Sequence, residues 1–255
     1  MKIAMIGCGA AGSVFASYLR RGGADMTLVD MYKEHMDKVA SDGMTFIIDP
    51  DEKYHLGGFT TAYNAESIGT MDAVIFMTKA TQLESAIETA KPCIGENTVL
   101  ISLINGLGNE DKLLKAHPAE LCMVGSGSIG TKLDAPGVCR AYPNAGVIMN
   151  FGPVKHSERT DAVGKNLEAF FNAGGCNAVY RLDILPLIWW KVIKNSSHSP
   201  VSAVLRLPIG ATDADPYGRE LYDRVIREGV AVAKAKGVDI MDADEFIAHD
   251  HEQVH

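Results

Sequence analysis

The sequence has no apolar stretch approaching the ~18 residues that cross a bilayer, no run of clustered Lys and Arg, no C-x-x-C pair, no internal repeat and no low-complexity segment. Each absence excludes something. Without a long apolar run the chain has no membrane span. Without a basic cluster, and with 24 Lys plus Arg against 32 Asp plus Glu for a net charge of -8, most of its surface repels a polyanion, so nucleic acid is not an expected partner. The five cysteines, Cys8, Cys93, Cys122, Cys139 and Cys176, are odd in number and far apart, which fits neither a disulfide framework nor a zinc ribbon. A reduced, cytoplasmic protein is the expected setting. The opening Met1-Lys2-Ile3-Ala4-Met5-Ile6-Gly7 leaves no room for a signal peptide before the first strand.

What is present is an ordinary globular composition, 47% hydrophobic and 22% charged over 255 residues. That length predicts one large domain or two unequal ones. Short apolar runs alternate with longer amphipathic stretches through the first half, the pattern of a βαβ series around a mainly parallel sheet. Strands are expected at 2–6, 26–29, 73–77, 98–102 and 121–124, and helices at 11–21, 34–40, 82–90 and 109–115. Residues 44–59, with Asp49-Pro50-Asp51 inside them, read as two strands joined by a turn. Residues 137–142 and 146–151 read as an antiparallel pair around Pro143-Asn144-Ala145-Gly146 that extends the sheet. A helix at 158–172 and a strand at 177–180 close the first domain. Beyond Asp183 strand signals vanish, and 186–205 and 215–236 read as two long helices. The expected organisation is a doubly wound α/β domain at 1–182 followed by an all-helical domain at 183–255.

The most informative stretch is Gly7-Cys8-Gly9-Ala10-Ala11-Gly12, a G-x-G-x-x-G that follows a strand and opens a helix, with Asp30 eighteen residues after Gly12 at the end of the second strand. Gly7 allows the tight turn, Gly9 lets the backbone approach a pyrophosphate, and Gly12 lets helix pack on strand. The helix N-terminus, at Ala10 and Ala11, turns free N–H groups toward the phosphates. This predicts a dinucleotide site. A carboxylate at Asp30 accepts from an adenosine ribose 2′-OH and repels a 2′-phosphate, which favours NADH. The same Asp also suits a cap on the next helix, and Lys33 lies near enough in sequence to meet a phosphate. Gly125-Ser126-Gly127-Ser128-Ile129-Gly130 fits the same pattern but leads into a turn at Asp134-Ala135-Pro136-Gly137, not a helix, so it offers an anion nothing.

Ligands of open α/β sheets sit at the carboxyl ends of strands, which directs attention to Met77-Thr78-Lys79-Ala80-Thr81-Gln82 and Leu103-Ile104-Asn105-Gly106-Leu107-Gly108. Lys79 is also what an exposed lysine looks like, and Asn105-Gly106 is a common turn pair. In the helix from Trp189 to Pro200, Lys191, Asn195 and Ser199 fall within an arc of about 80° at about 100° per residue. This polar stripe on an apolar segment faces either a cleft or water. His249, His251 and His255 do not line one helix face and no Cys or second acid pair accompanies them, so no metal is expected. His198 points away from the stripe and reads as structural.

In this order, the motifs resemble the ketopantoate reductase family: M-K-I-x-x-I-G-x-G-A-x-G at the start, T-K-A-x-Q around Lys79, Asn105-Gly106, Pro136-Gly137, and W-x-K-x-x-x-N-x-x-x-x-P from Trp189 to Pro200. The resemblance spans essentially the whole chain. It implies hydride transfer from NADPH or NADH to the 2-oxo group of ketopantoate, giving pantoate for pantothenate and coenzyme A synthesis. Lys191 would then be the catalytic lysine, Asn105, Asn195 and Ser199 would hold the substrate, and Lys79 and Asn105 would lie beside the cofactor. An ammonium at Lys191 suits an alkoxide that needs a proton, with Lys194 and the flanking Trp189 and Trp190 expected to lower its pKa. The partner implied is a small anionic 2-oxo acid, and a homodimer is common among relatives. Three departures stand out. Ser199 replaces the family's usual Asn, Asp30 replaces the Arg or neutral residue of NADPH-using members, and the family's substrate-binding Ser and its Glu partner to the lysine come after the position of His255. Another small 2-oxo acid as substrate, or a non-catalytic nucleotide-binding module, are the alternatives.

Overall fold

The computed structural model describes residues 1–50, 52–143 and 145–253. The chain divides into two compact units, Met1–Ile184 and Leu185–His255.

The first unit runs β1 (Lys2–Ile6), α1 (Ala10–Arg21), β2 (Asp25–Val29), α2 (Lys33–Asp42), β3 (Met44–Ile48), β4 (Glu52–Leu56), β5 (Thr60–Ala62), β6 (Ala73–Phe76), α3 (Leu83–Ala90), β7 (Val99–Ser102), α4 (Asn109–Leu114), β8 (Cys122–Gly127), β9 (Ile129–Ala135), β10 (Val138–Pro143), β11 (Met149–Pro153), α5 (Glu158–Ala173) and β12 (Ala178–Tyr180). The main sheet has the order β12-β11-β8-β7-β6-β1-β2-β5. Its parallel part, from β5 through β8, is the doubly wound arrangement, in which β1 has β2 on one side and β6 on the other. β6 and β7 are buried along their whole length, which is why they read as unbroken apolar runs with no alternation. The order reverses at β1 and β6, so the loops after these two strands open at the place where such sheets bind ligands.

A second sheet, β4-β3-β10-β9, is where the expected layout fails. β10 pairs parallel with β3 and antiparallel with β9, and β11 pairs antiparallel with β8 in the main sheet. The strands at 137–142 and 146–151 are therefore not each other's partners, and only the second extends the main sheet. Asp134 and Ala135 belong to β9, and only Pro136 and Gly137 form the turn to β10. Asp51 and Asn144, which fall in two expected turns, lie outside the described residues, as does His255.

The two sheets leave α1 no exposed face along most of its length: every residue from Gly12 to Leu19 is buried. Tyr18 meets Phe46 of β3 edge-on with ring centres 4.8 Å apart, and Phe15 meets Phe171 of α5 at 6.1 Å. Arg20 and Arg21 in the last turn complement the negative end of the helix dipole. α5 begins at a capping box in which the Ser157 hydroxyl accepts from the Thr160 N–H and Thr160 returns the bond.

The second unit contains α6 (Ile184–Leu205), α7 (Ile209–Ala214), α8 (Pro216–Ala235) and α9 (Ala243–Gln253). Two of these, α7 and α9, go beyond the two long helices expected. Among the described residues no helix is long and apolar enough to cross a membrane. Trp189 and Ile193 of α6 pack with Ile226, Val230 and Ala233 of α8 and Phe246 and Ile247 of α9. Beside this apolar cluster Asp250 of α9 is buried between two basic side chains of α6: His198 Nε2 at 3.1 Å and Lys194 Nζ at 3.2 Å. His198 is thus structural, as its position on the helix implied.

This triad makes the docking of α9 sensitive to pH. Burial works to lower the His198 pKa, but Asp250 and the Lys194 carbonyl outweigh it and hold the imidazole above its ordinary 6.5. Burial works to raise the Asp250 pKa, and His198 and Lys194 outweigh it and hold the carboxyl below its ordinary 3.8. The Asp250 contribution is present above 3.8 and lost as pH falls through its depressed value; the His198 contribution is present below 6.5 and lost as pH rises through its raised value. Asp250→Ala strands the two cations and is expected to cost about 3 kcal/mol in denaturant unfolding at pH 6, with a smaller cost at alkaline pH.

Candidate functional site

The glycine loop is built from β1 outward. Gly7 takes φ +92°, and a Cβ there would lie 2.8 Å from Thr78 Cγ2 and 2.9 Å from Thr78 N, so the loop after β1 rests directly on the loop after β6. A Cβ on Gly12 would lie 1.9 Å from the Gly7 carbonyl oxygen. Gly9 is the contrast: it is exposed, and a Cβ there would meet nothing within 4 Å. Two glycines are thus required by the protein's own packing and the third by nothing in the chain, which fits a backbone kept bare for a ligand to approach.

Between them Cys8 is held at every polar atom. Its N–H donates to Asp30 Oδ2 at 2.6 Å, its carbonyl accepts from Ser13 Oγ at 2.8 Å, and its thiol points at the Met5 and Val29 carbonyls. Burial raises the Cys8 thiol pKa far above the usual range, so this cysteine packs and does not react. No side chain caps the N-terminus of α1, and the first-turn N–H groups of a helix have no partner within it. These amides, at Gly9, Ala10, Ala11 and Gly12, could hold an anion such as a dinucleotide pyrophosphate.

Asp30, just after β2, does not cap α2, whose N-terminus has no side-chain cap. Its Oδ2 braces Cys8, and its Oδ1 accepts from the Tyr32 N–H at 2.9 Å at the entry to α2. Lys79 is exposed on the loop after β6; its carbonyl accepts from the Gln82 N–H, and Lys112 of α4 donates to the next carbonyl, Ala80, at 2.5 Å. Asn105 follows β7 in a loop that Asn109 stabilises by donating to the Ile104 carbonyl at 2.9 Å. Ser126 of β8 donates to Asn105 Oδ1 at 3.1 Å.

Ser126 belongs to the second glycine pattern, which has a packing role. A Cβ on Gly125 would lie 2.6 Å from Phe151 Cβ, and one on Gly127 would lie 2.8 Å from the Phe15 ring, so these glycines let β8 sit close to its neighbours. Sequence reasoning passed over Ser126, Ser13 and His35. The only available sign was a small hydroxyl one turn into α1 and another inside a glycine-rich strand.

In the second unit the polar stripe of α6 carries Lys191, Asn195 and Ser199, with Asn195 and Ser199 exposed. Burial pushes the Lys191 ammonium below its ordinary 10.5. The lowering expected from Lys194 is not present: the charge of Lys194 is committed to Asp250 at 3.2 Å and to the face of Trp190, 5.2 Å away. His251 pairs with Asp223 at 3.0 Å and the His249 ring lies 6.1 Å from Trp190. Among the described residues no three His, Cys, Asp or Glu side chains are grouped to hold a metal ion.

The model of the ketopantoate reductase PanE/ApbA family matches residues 3–155, and that of the family's C-terminal part matches residues 183–254. The chain belongs to the ketopantoate reductase family. It is therefore an oxidoreductase by descent, with the doubly wound and helical parts that the sequence motifs implied. The 2-dehydropantoate 2-reductase of Streptococcus pyogenes serotype M3 is 26% identical over 264 aligned positions, covering 100% of this chain and 84% of that protein. That of Halobacterium salinarum is 26% identical, covering 95% of this chain and 78% of the other. The fold is shared with the 2-dehydropantoate 2-reductase of Porphyromonas gingivalis W83, at TM-score 0.84, 20% identity and coverage of 99% and 89%. It is shared as well with a D-mandelate dehydrogenase solved with NADH and anilino(oxo)acetate, at TM-score 0.83, 24% identity and coverage of 100% and 80%.

The three glycines separate packing from binding. Gly12→Ala drives a methyl into the Gly7 carbonyl and is expected to destabilise the protein by about 2 kcal/mol in thermal or denaturant unfolding. Gly9→Ala should unfold like wild type and weaken dinucleotide binding by about ten-fold or more. A Gly9→Ala protein that binds as tightly as wild type would remove the phosphates from this loop.

Proposed function

We propose that the protein reduces the 2-oxo group of ketopantoate to the 2-hydroxy group of pantoate with hydride from a nicotinamide dinucleotide. The observation that carries this reading is the bare, braced amide cradle of Gly9 to Gly12 in a chain of this family. The relatives named as 2-dehydropantoate 2-reductases support the substrate.

The bound dinucleotide supplies the hydride. Gly9, Ala10, Ala11 and Gly12 bind its phosphates, Asp30 meets the adenosine ribose, and Lys79 and Asn105 line its nicotinamide side. Because a carboxylate at Asp30 rewards a free 2′-OH and repels a 2′-phosphate, NADH is the preferred form of the cofactor over NADPH. Asn105, Asn195 and Ser199 orient the substrate by hydrogen bonds. Lys191 acts as general acid. It attracts the anionic substrate, stabilises the negative oxygen that develops at C2, and transfers its Nζ proton to that oxygen. An ammonium at an ordinary lysine pKa gives up its proton reluctantly, and the lowering by burial brings Lys191 nearer to the working range. The shorter Ser199, where the resemblance implies Asn, favours a second reading in which a different small 2-oxo acid is the better substrate. A cytoplasmic homodimer is the assembly proposed.

The test is ketopantoate-dependent oxidation of NADH and NADPH, followed separately by loss of reduced-nicotinamide absorbance, alongside a panel of small 2-oxo acids. Turnover with ketopantoate, faster with NADH, is the expected result. Lys191→Ala should lower kcat by about 100-fold or more while leaving dinucleotide affinity unchanged. Since the acid must be protonated and its pKa is lowered, the wild-type rate should fall on the alkaline side at a pH below 10.5. Unchanged turnover in Lys191→Ala would rule out the general-acid role, and oxidation with no 2-oxo acid of the panel would rule out the reaction.

A further inference from the structure

A buried hydrogen-bond chain joins the glycine loop to the turn between β9 and β10. His35 on α2 is 0% exposed. The Gly137 N–H donates to His35 Nδ1 at 2.9 Å, so this nitrogen is the acceptor and the ring proton sits on Nε2. Nε2 lies 3.0 Å from Ser13 Oγ and donates to it. The Ser13 hydroxyl in turn donates a hydrogen bond to the Cys8 carbonyl at 2.8 Å. Every donor in the chain has one acceptor, and the direction is set from the Gly137 end. Gly137 is itself constrained: it takes φ +73°, and a Cβ there would lie 2.8 Å from Lys38 Cγ.

The Cys8 carbonyl is the point of action. It belongs to the peptide that joins Cys8 to Gly9, and its orientation fixes the direction of the Gly9 N–H on the same peptide. Asp30 holds the other side of Cys8 through its N–H. Asp30 faces solvent in part and is available to a ligand, whereas Ser13 and His35 are sealed.

We infer that His35 is a positioning residue for the dinucleotide: through Ser13 it fixes the Cys8 carbonyl and thereby pre-sets the amide cradle of the glycine loop. The role rests on the reading of that loop as the dinucleotide site. It extends the site to α2 and to the turn between β9 and β10, and it requires the neutral ring. A proton on Nδ1 would set two donors against each other at Gly137. The groups facing the ring are Asp30 beyond β2, whose charge favours the protonated form, the Tyr32 ring stacked at 6.0 Å and the Ser13 hydroxyl of α1. Burial outweighs Asp30 and holds the His35 pKa below its ordinary 6.5. The arrangement is therefore intact above 6.5 and is lost as pH falls through the lowered value.

The experiment measures NADH and NADPH affinity by fluorescence titration across pH for wild type, His35→Ala, His35→Gln and Ser13→Ala, each with its thermal unfolding curve. His35→Ala and Ser13→Ala are expected to weaken dinucleotide binding about ten-fold, the loss of one hydrogen bond that orders the cradle, with kcat at saturating dinucleotide unchanged. His35→Gln, which keeps an N–H donor and cannot titrate, should recover most of the affinity and should not share the wild-type loss of binding below 6.5. Unchanged affinity in His35→Ala, even with a lowered melting temperature, would reduce His35 to a structural residue. A loss of binding at low pH that is identical in His35→Gln would overturn the inference too. Wild-type protein that binds neither dinucleotide would instead overturn the reading of the glycine loop on which it stands.

Discussion

A methyl group has no room at Gly12 because the carbonyl of Gly7 occupies the position, 1.9 Å from where the Cβ would be. The contact forces the chain after β1 to turn back over the start of α1. It puts Cys8 in a pocket where N–H, carbonyl and thiol each have a fixed partner. The rest of the first unit serves this turn. β2 ends at Asp30 to brace one side, α1 returns Ser13 to brace the other, and the second sheet reaches the loop through Gly137 and His35. A flexible glycine loop would have to be ordered when a ligand binds. Here that ordering is done by the fold, which leaves more of the interaction with a phosphate as affinity.

The second unit solves a different problem with similar means. Its apolar core is small, and α9 is fastened to α6 by a buried carboxylate shared between His198 and Lys194. By committing Lys194 to Asp250, the helix leaves the pKa of Lys191 to burial alone, a cause that lowers it without adding a competing positive charge. Two lysines separated by one helical turn thus acquire different characters from their surroundings, one a structural counter-ion and the other a candidate acid.

The parallel core and both long helices were legible in the sequence because their signals are local: apolar runs of strand length, a glycine loop between strand and helix, and helical periodicity. The second sheet was not, since β3 and β10 are far apart in sequence and nothing in either segment names its partner. Residues 137–142 and 146–151 looked like a hairpin for the same reason. Proximity along the chain is the only pairing information a single sequence offers, and here the two strands belong to different sheets. In the site, Gly7, Gly9, Gly12 and Asp30 could be read from a pattern whose physical requirements are strict. Ser13, His35 and Ser126 could not, because a buried Ser or His acquires a role only from the partner that the fold brings to it. Lys191 was visible through its motif, but its surroundings were misjudged: proximity to Lys194 in sequence said nothing of Asp250, some fifty residues later.

The amides of Gly9, Ala10, Ala11 and Gly12 are proposed as a preset anion site for a reduced nicotinamide dinucleotide. The most direct measurement is a titration of isotopically labelled protein with NADH, following backbone amide resonances by NMR. These four amides are expected to shift first and furthest, downfield as they gain an acceptor, while Cys8, already bonded to Asp30, moves little. Saturable binding that leaves the four amides unmoved, with the large shifts elsewhere in the chain, would contradict it.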